Sequence, residues 1–170
     1  AELTGAVNTI VNDDGVLTGH ITDGTGFMAA LRDNAIDVIG KKMTIVGAGG
    51  AATAIEIQAA LDGVAQISVF NRKDEFWERA QRNVDVINEK TDCRADLFDL
   101  DDLEILKAEI ADSCLFVNAT GMGMKPLEGK TYIPDASYLR PDLIVADVVY
   151  SPAETALLKM AKQVGCKCMN

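Results

Sequence analysis

The feature that most constrains the fold is a regular alternation of short apolar runs with segments of helical spacing after residue 41. Short, continuously apolar strands joined through helices predict a parallel sheet that is covered on both faces. Right-handed crossovers then give an α/β fold with a doubly wound parallel sheet. The predicted strands are MTIVGAG, QISVFN, CRADLF, CLFVNAT and LIVADVVY. The predicted helices are 51–61, 75–90, DDLEILKAEIAD and SPAETALLKMAKQVGC, the last opened by its proline.

Residues 1–40 do not follow that alternation. Two β-rich runs flank Asp14-Gly15, a pair suited to a turn with positive φ, so we predict an N-terminal hairpin. From Thr22 the apolar spacing becomes helical, and Gly40 is the predicted stop. We interpret residues 1–40 as the edge of a substrate or catalytic domain plus a linking helix. Residues 41–170 are predicted to form the doubly wound domain.

Composition excludes several classes of protein. A chain of 170 residues that is 48% hydrophobic and 25% charged is typical of one compact globular unit. The net charge of −10 argues against nucleic acid and anionic membranes as partners. No apolar run approaches the roughly 20 residues that span a bilayer, and no signal peptide opens the sequence. Scattered cysteines predict reduced thiols, a cytoplasmic location and no metal site: Cys93, Cys114, Cys166 and Cys168.

The turn after the first strand of the alternation, GAGGAA at 47–52, has the spacing of a dinucleotide fingerprint. A glycine at 47 permits a tight turn, and a glycine at 49 lets the backbone approach a pyrophosphate. The amides of the next helical turn then face the phosphates. Plain packing is the alternative interpretation of such a turn. Because a strand precedes it and a helix and a second strand follow, we predict a Rossmann-type NAD or NADP site with these contacts: Gly47, Ala48, Gly49, Gly50 and Ala51.

The end of the second strand is expected to read the adenine ribose, and Asn71 lies there without an acidic residue at the tip. Arg72, with Lys73 beside it, can pair with a 2′-phosphate and favours NADP. Asp74 can accept from a free 2′-hydroxyl and favours NAD. The two signals oppose each other, so cofactor preference stays open. The alternative is that these charges form only the solvated start of a helix.

Six separated motifs span nearly all of the chain: GAVNTIV at 5–11, TDGTGF at 22–27, GAGGAATA at 47–54, FNRKDEF at 70–76, NATGMGMKPLE at 118–128 and DVVYSPAETALL at 147–158. In this order they make the chain resemble the shikimate dehydrogenase family, most closely its quinate/shikimate dehydrogenase branch. The NRKDEF string resembles the members that accept NAD as well as NADP.

The resemblance implies an NAD(P)-dependent oxidoreductase of the shikimate pathway of aromatic amino acid biosynthesis. Its substrates are shikimate or quinate and their 3-dehydro ketones. In that family, residues at the positions of Asn8 and Asp23 hold the ring hydroxyls, and the aspartate works catalytically beside a proton-carrying lysine. Tyr150 is expected near both substrate and nicotinamide. The remaining expected cofactor contacts are Thr120, Gly121, Val148 and Val149.

Two departures from the family pattern accompany the resemblance. The family carries its lysine in an N-terminal domain that precedes all the motifs above, and Ile21 stands where the family usually has asparagine. We therefore expect this chain, which starts without methionine, to be a fragment that is inactive by itself and needs that domain as its partner. The sequence neither requires nor excludes a homodimer.

Other interpretations remain open at the sequence level. Asn8 can serve only the hairpin backbone, Asp23 can cap the following helix, and Tyr150 can belong to the core. His20 is predicted to lie on the surface, and three methionines are predicted to fill the core: Met122, Met124 and Met160. The rival functions are a nucleotide-binding regulatory module and the Rossmann domain of another small dehydrogenase. The motifs at 5–11 and 22–27 argue against the second.

Overall fold

A computed structural model describes all residues from 1 to 170. The chain begins with an antiparallel hairpin of β1 (Thr9–Asp13) and β2 (Val16–His20), followed by α1 (Asp23–Asp33). Asp14 and Gly15 form its turn, with φ angles of 48° and 93°. Asn12 Oδ1 accepts the amide of Gly15 at 2.9 Å. The hairpin prediction is confirmed, and its turn has the positive φ angles that suit the strand twist.

The remaining elements alternate as the sequence predicts. The strands are β3 (Lys42–Val46), β4 (Gln66–Asn71), β5 (Arg94–Asp99), β6 (Leu115–Asn118), β7 (Ile144–Asp147) and β8 (Lys167–Met169). The helices are α2 (Gly50–Asp62), α3 (Trp77–Lys90), α4 (Leu103–Ala111) and α5 (Ala156–Val164), and a short 3₁₀ turn covers Ala136–Tyr138.

Strands β3 to β8 form one parallel sheet in the order β5-β4-β3-β6-β7-β8. The direction of winding reverses between β3 and β6, so a crevice opens there beyond the carboxyl ends of the strands. The prediction of a doubly wound parallel α/β fold is confirmed.

Each face of the sheet is covered by its own apolar layer. On one face α1, α2 and α3 pack around Ile45 and Val69, and on the other α4 and α5 pack around Val46 and Phe70. Neighbouring strand residues thus point to opposite layers, as in a sheet buried on both sides. Each fully buried side chain of this size contributes about 1.5–3 kcal/mol.

Helix α1 packs directly on α2, with Gly24, Met28 and Leu31 on its buried face. A side chain at Gly24 would overlap the backbone of Ala54 in α2. The two helices therefore approach as closely as their backbones allow.

Helix α1 ends earlier than the sequence predicts, at Asp33 and not at Gly40. Ala35 has a φ of 53°. The amides of Ala35 and Ile36 bond back to the carbonyls of Arg32 and Leu31. This is a Schellman motif, and the burial of Leu31 and Ile36 stabilises it.

The start of α5 was also predicted wrongly. Pro152 lies in the preceding loop, and the helix begins at Ala156 because Thr155 Oγ1 accepts the amide of Leu158 at 3.3 Å. The edge strand β8 was not predicted, since three residues are too few to form a recognisable pattern. None of the helices combines the length and the apolarity needed to cross a membrane.

Candidate functional site

A cleft of about 490 Å³ lies at the topological switch point, beyond the carboxyl ends of β3, β4, β6 and β7. Most residues that the sequence indicated for a cofactor line it: Gly47, Ala48, Gly49, Gly50, Ala51, Asn71, Asp74, Thr120, Gly121, Val148, Val149 and Tyr150. Arg72 and Lys73 do not line it, and neither do Asn8 and Asp23.

Glycine is present for different physical reasons at different positions of the turn between β3 and α2. Gly47 has a φ of +123°, and a Cβ there would lie 2.7 Å from the carbonyl oxygen of Ala119. The fold itself requires that glycine. Gly49 and Gly50 have ordinary φ, and a Cβ at either would meet nothing within 4 Å. Packing therefore does not require glycine at 49 or 50, and a side chain at either would fill open space beside the cleft.

The amino end of α2 supplies the electrostatics of this part of the cleft. Gly49 is the residue before the helix, and no acidic residue lies in the first helical turn. The first amides of any α-helix lack intrahelical acceptors, and the helix dipole adds partial positive charge there. Open space, free amides and no nearby acid in that turn are the features that suit a phosphate group.

Asp74 brings a negative charge to the cleft beside β4. Its Oδ1 accepts the amide of Phe76 at 2.9 Å and the side-chain amide of Asn71 at 3.2 Å. Its Oδ2 makes no hydrogen bond within the chain, so this oxygen is free to accept one from a ligand. Two contacts thus orient the carboxylate while leaving an acceptor exposed.

The two neighbouring cations have partners of their own. The Arg72 guanidinium lies 5.5 Å from the ring centroid of Tyr132. Lys73 Nζ lies 2.9 Å from Asp99 and 5.6 Å from the centroid of the Trp77 ring. The hydrogen bond from Lys73 lowers the pKa of the Asp99 carboxyl. At the β4 end, the cleft is therefore lined by a carboxylate and not by a cation.

On the opposite side, the segments that follow β6 and β7 form the wall. Tyr150 is 83% exposed, which excludes core packing for its side chain. Met124, predicted as core, is 47% exposed and lines the cleft, so that prediction was wrong. Met122 and Met160 are half-buried, and His20 is exposed at the end of β2 as predicted.

Asn8 and Asp23 form a separate pair where the hairpin meets α1. Asn8 Nδ2 donates to Asp23 Oδ1 at 2.7 Å, and Asn8 Oδ1 accepts the amide of Thr22 at 3.0 Å. Helix α1 begins at Asp23 itself, after Thr22, so the carboxylate is not the helix cap. Asn8 ties the hairpin to the helix and also fixes one oxygen of an exposed carboxylate.

Sequence reasoning did not assign five of the residues that line the cleft: Phe76, Ala119, Met124, Tyr132 and Ser151. Phe76 is the last residue of the FNRKDEF motif at 70–76 and could have been assigned to the cleft from it. Tyr132 belongs to a long segment without periodicity, and no signal in the sequence places its ring at the cleft.

A doubly wound parallel sheet with a glycine-rich turn at its switch point defines the class of Rossmann-type α/β domains. No family model matches the chain. The chain is 65% identical over all 170 residues to a shikimate dehydrogenase (NADP(+)) of Listeria monocytogenes, of which it covers 58%. Over its whole length it is therefore similar to shikimate dehydrogenases, and it spans somewhat more than half the length of the curated relatives that it matches.

Solved structures show the same similarity. A shikimate 5-dehydrogenase from Listeria monocytogenes, in complex with shikimate and NAD, superposes with a TM-score of 0.97 at 65% identity. The match covers 99% of this chain and 58% of that one. A quinate dehydrogenase from Corynebacterium glutamicum, in complex with NAD, has a TM-score of 0.84 at 36% identity, over 98% of this chain and 57% of that one.

Proposed function

We propose that the chain is the NAD(P)-binding part of an oxidoreductase that interconverts shikimate or quinate and the 3-dehydro ketone. The single observation that carries the cofactor assignment is the open space at Gly49, beside free helix amides and inside the cleft. Similarity over the full chain to proteins that hold shikimate and NAD, or NAD alone, supports the substrate class. The same proposal places the protein in aromatic amino acid biosynthesis and in the cytoplasm, in keeping with its four free thiols.

Three groups of cleft residues contact three different parts of the cofactor in this proposal. The turn at 47–51 and the first amides of α2 hold the pyrophosphate. Asp74, braced by Asn71, accepts from the adenine ribose, so it admits NAD and limits NADP. The wall after β6 and β7 faces the nicotinamide half, with contacts from Thr120, Gly121, Val148, Val149 and Tyr150. When bound, the nicotinamide supplies hydride transfer.

Asn8 and Asp23 are the residues that bind the substrate in this proposal. Their side chains are exposed and already joined, with acceptor and donor positions left for the hydroxyls of a polyol ring. Asp23 is the proposed catalytic member of the pair. In this proposal residues 1–40 belong to the substrate-binding part of the enzyme and residues 41–170 form the cofactor domain.

The test of this function is the substitution Gly49→Val. A Cβ at position 49 meets nothing within 4 Å, so we expect the variant to fold. Its side chain would fill the space that a phosphate needs, so calorimetric affinity for NAD and NADP should fall at least about tenfold, or about 1.4 kcal/mol. Gly26→Val is the matched control, because a Cβ at Gly26 also meets nothing and Gly26 lies outside the cleft. A folded Gly49→Val protein with unchanged affinity would return the turn to a packing role.

A further inference from the structure

Three polar side chains are buried behind the cleft and do not line it. Asn118 is 3%, Asp147 is 2% and Thr155 is 1% exposed. Asn118 and Asp147 are the last residues of β6 and β7 and face each other in register. Asn118 Nδ2 donates to Asp147 Oδ1 at 2.9 Å. The pair therefore joins two neighbouring strands at the point where both chains leave the sheet.

Asn118 also holds the segment that follows β6. Its Nδ2 donates to the carbonyl of Met122 at 2.9 Å, and its Oδ1 accepts the hydroxyl of Thr120 at 2.7 Å. The hydroxyl of Thr120 in turn accepts the amide of Met122 at 3.0 Å. Side-chain hydrogen bonds from Asn118 thus shape residues 119–122, part of which lines the cleft.

Asp147 holds the segment that follows β7 in the same way. Its Oδ1 accepts the amide of Val149 at 3.0 Å, and its Oδ2 accepts the hydroxyl of Thr155 at 2.7 Å. These contacts fix both ends of the loop that carries Val148 to Ser151 into the cleft. Thr155 is also the cap of α5, so the loop is anchored to a helix.

A carboxyl group at this depth has an energetic cost that its partners must offset. Burial raises the pKa of Asp147, and the hydrogen bonds from Thr155, Val149 and Asn118 oppose that rise. An apolar residue would fill the same place in the layer without this desolvation cost. What only a polar side chain provides here is the connection between two loops.

We propose that Asp147 and Asn118 are positioning residues for the nicotinamide half of the dinucleotide, because they lock the loops after β6 and β7 into one rigid wall. This inference rests on the proposed function. In the doubly wound fold the first turn takes the pyrophosphate and the end of the next strand takes the adenine ribose. The wall on the far side of the switch point is then left for the nicotinamide ring.

The deciding variant is Asp147→Asn. An amide offers one acceptor oxygen to three donors, so at least one loop contact is lost while the shape is kept. Calorimetry should compare NAD with ADP-ribose, which keeps the adenine, both riboses and the pyrophosphate but lacks nicotinamide. NAD affinity should fall at least about tenfold, and ADP-ribose affinity should change less than about twofold.

A second variant, Thr155→Val, has a matched control in Thr44→Val. Thr44 lies in the middle of β3 and is equally buried; its hydroxyl bonds to that of Ser113 at 2.9 Å, and neither residue lines the cleft. Both substitutions remove a buried hydroxyl, but only Thr155→Val should lower the ratio of NAD to ADP-ribose affinity. Thr155→Ser, which keeps the hydroxyl, should retain the wild-type ratio.

The possible failures are distinct. Equal losses for NAD and ADP-ribose in Asp147→Asn would mean a merely structural role and would overturn the inference, as would an unchanged NAD affinity. If wild-type protein binds neither ligand, the proposed function fails first and the inference fails with it.

Discussion

Gly47 and Gly49 lie two residues apart and answer to different physical requirements. At Gly47 the backbone of Ala119, just after β6, occupies the place of a side chain, so substitution there strains the folded state. At Gly49 only open space is present. Substitution of Gly47 should therefore lower the free energy of unfolding, whereas substitution of Gly49 should lower the affinity for dinucleotide.

The charged residues after β4 should determine the preference between NAD and NADP. Asp74→Ala should raise NADP affinity relative to NAD by about fivefold to tenfold, because it removes the carboxylate that repels a 2′-phosphate. Arg72→Ala should weaken NADP more than NAD, since the guanidinium lies over the ring of Tyr132, which lines the cleft, and can pair with a 2′-phosphate. Titration of both variants with both cofactors is the measurement. Equal changes for NAD and NADP would show that neither side chain reads the 2′ position.

Glu56 is an acid without a complete set of partners. It is fully buried in α2, where Oε2 accepts the side-chain amide of Asn83 at 2.8 Å and Oε1 has no partner. Burial raises its pKa to about 8, against the opposing effects of Asn83 and the charge of Arg79. The folded protein therefore keeps a proton that the unfolded chain releases.

That proton makes stability depend on pH with a definite sign. The contribution of Glu56 is complete below its unfolded pKa of 4.5 and is lost as the pH rises through about 8. Glu56→Gln should flatten this decline, giving a gain on the order of 1–3 kcal/mol over wild type at alkaline pH. Urea unfolding between pH 5 and 9 measures it. Glu89→Gln, at an exposed side chain, should keep the wild-type slope, and a Glu56→Gln protein with that same slope would contradict the assignment.

At the scale of elements, the end of α1 holds a residue in an unfavourable conformation. Ala35 takes the left-handed position of the Schellman motif, where glycine is the usual residue. Ala35→Gly should raise the free energy of unfolding by about 0.5–1 kcal/mol, because a Cβ is disfavoured at that φ. Ala29→Gly, inside the same helix, should lower it by a similar amount. Chemical denaturation compares the two, and a loss at both positions would mean that chain entropy outweighs the strain.

The elements also show how far the sequence could be read. β3, β4 and the helices after them were predictable because apolar runs and helical spacing follow from burial on both faces. The end of α1 was not predictable from the sequence. Alanine at 35 gives no signal that a helix ends, and the observed end depends on the burial of Ile36 in the core.

The residues of the cleft also differ in whether the sequence could predict them. Its glycine turn and Asp74 were readable from local motifs. The Tyr132 ring, the pairing of Lys73 with Asp99 and the network around Asp147 depend on contacts between segments far apart in the chain. No local pattern encodes such contacts.

At the scale of the whole molecule, the 170 residues should bind dinucleotide without turning over shikimate. Asn8 is the only side chain that bonds to Asp23, and none of the ion pairs of the chain includes that carboxylate. Absence of an acid–base partner typically costs about 10²- to 10⁴-fold in rate, and lost positioning adds to this. The assay follows reduced nicotinamide by absorbance with shikimate and excess NAD or NADP.

A complementation experiment is the control for that assay. Adding the part of the Listeria monocytogenes relative that this chain does not match should restore turnover. Turnover by the 170 residues alone, at the rate of an ordinary dehydrogenase, would show that a group among them carries the proton.

The close contact of α1 with α2 has a mechanical consequence. Asp23 stands at the start of one helix and Gly50 at the start of the other, and the missing Cβ of Gly24 lets the two backbones touch. Because the two backbones are in contact, we expect α1 and α2 to move as one body. We therefore expect the distance between Asp23 and the glycine turn at 47–51 to stay the same whether or not a dinucleotide is bound.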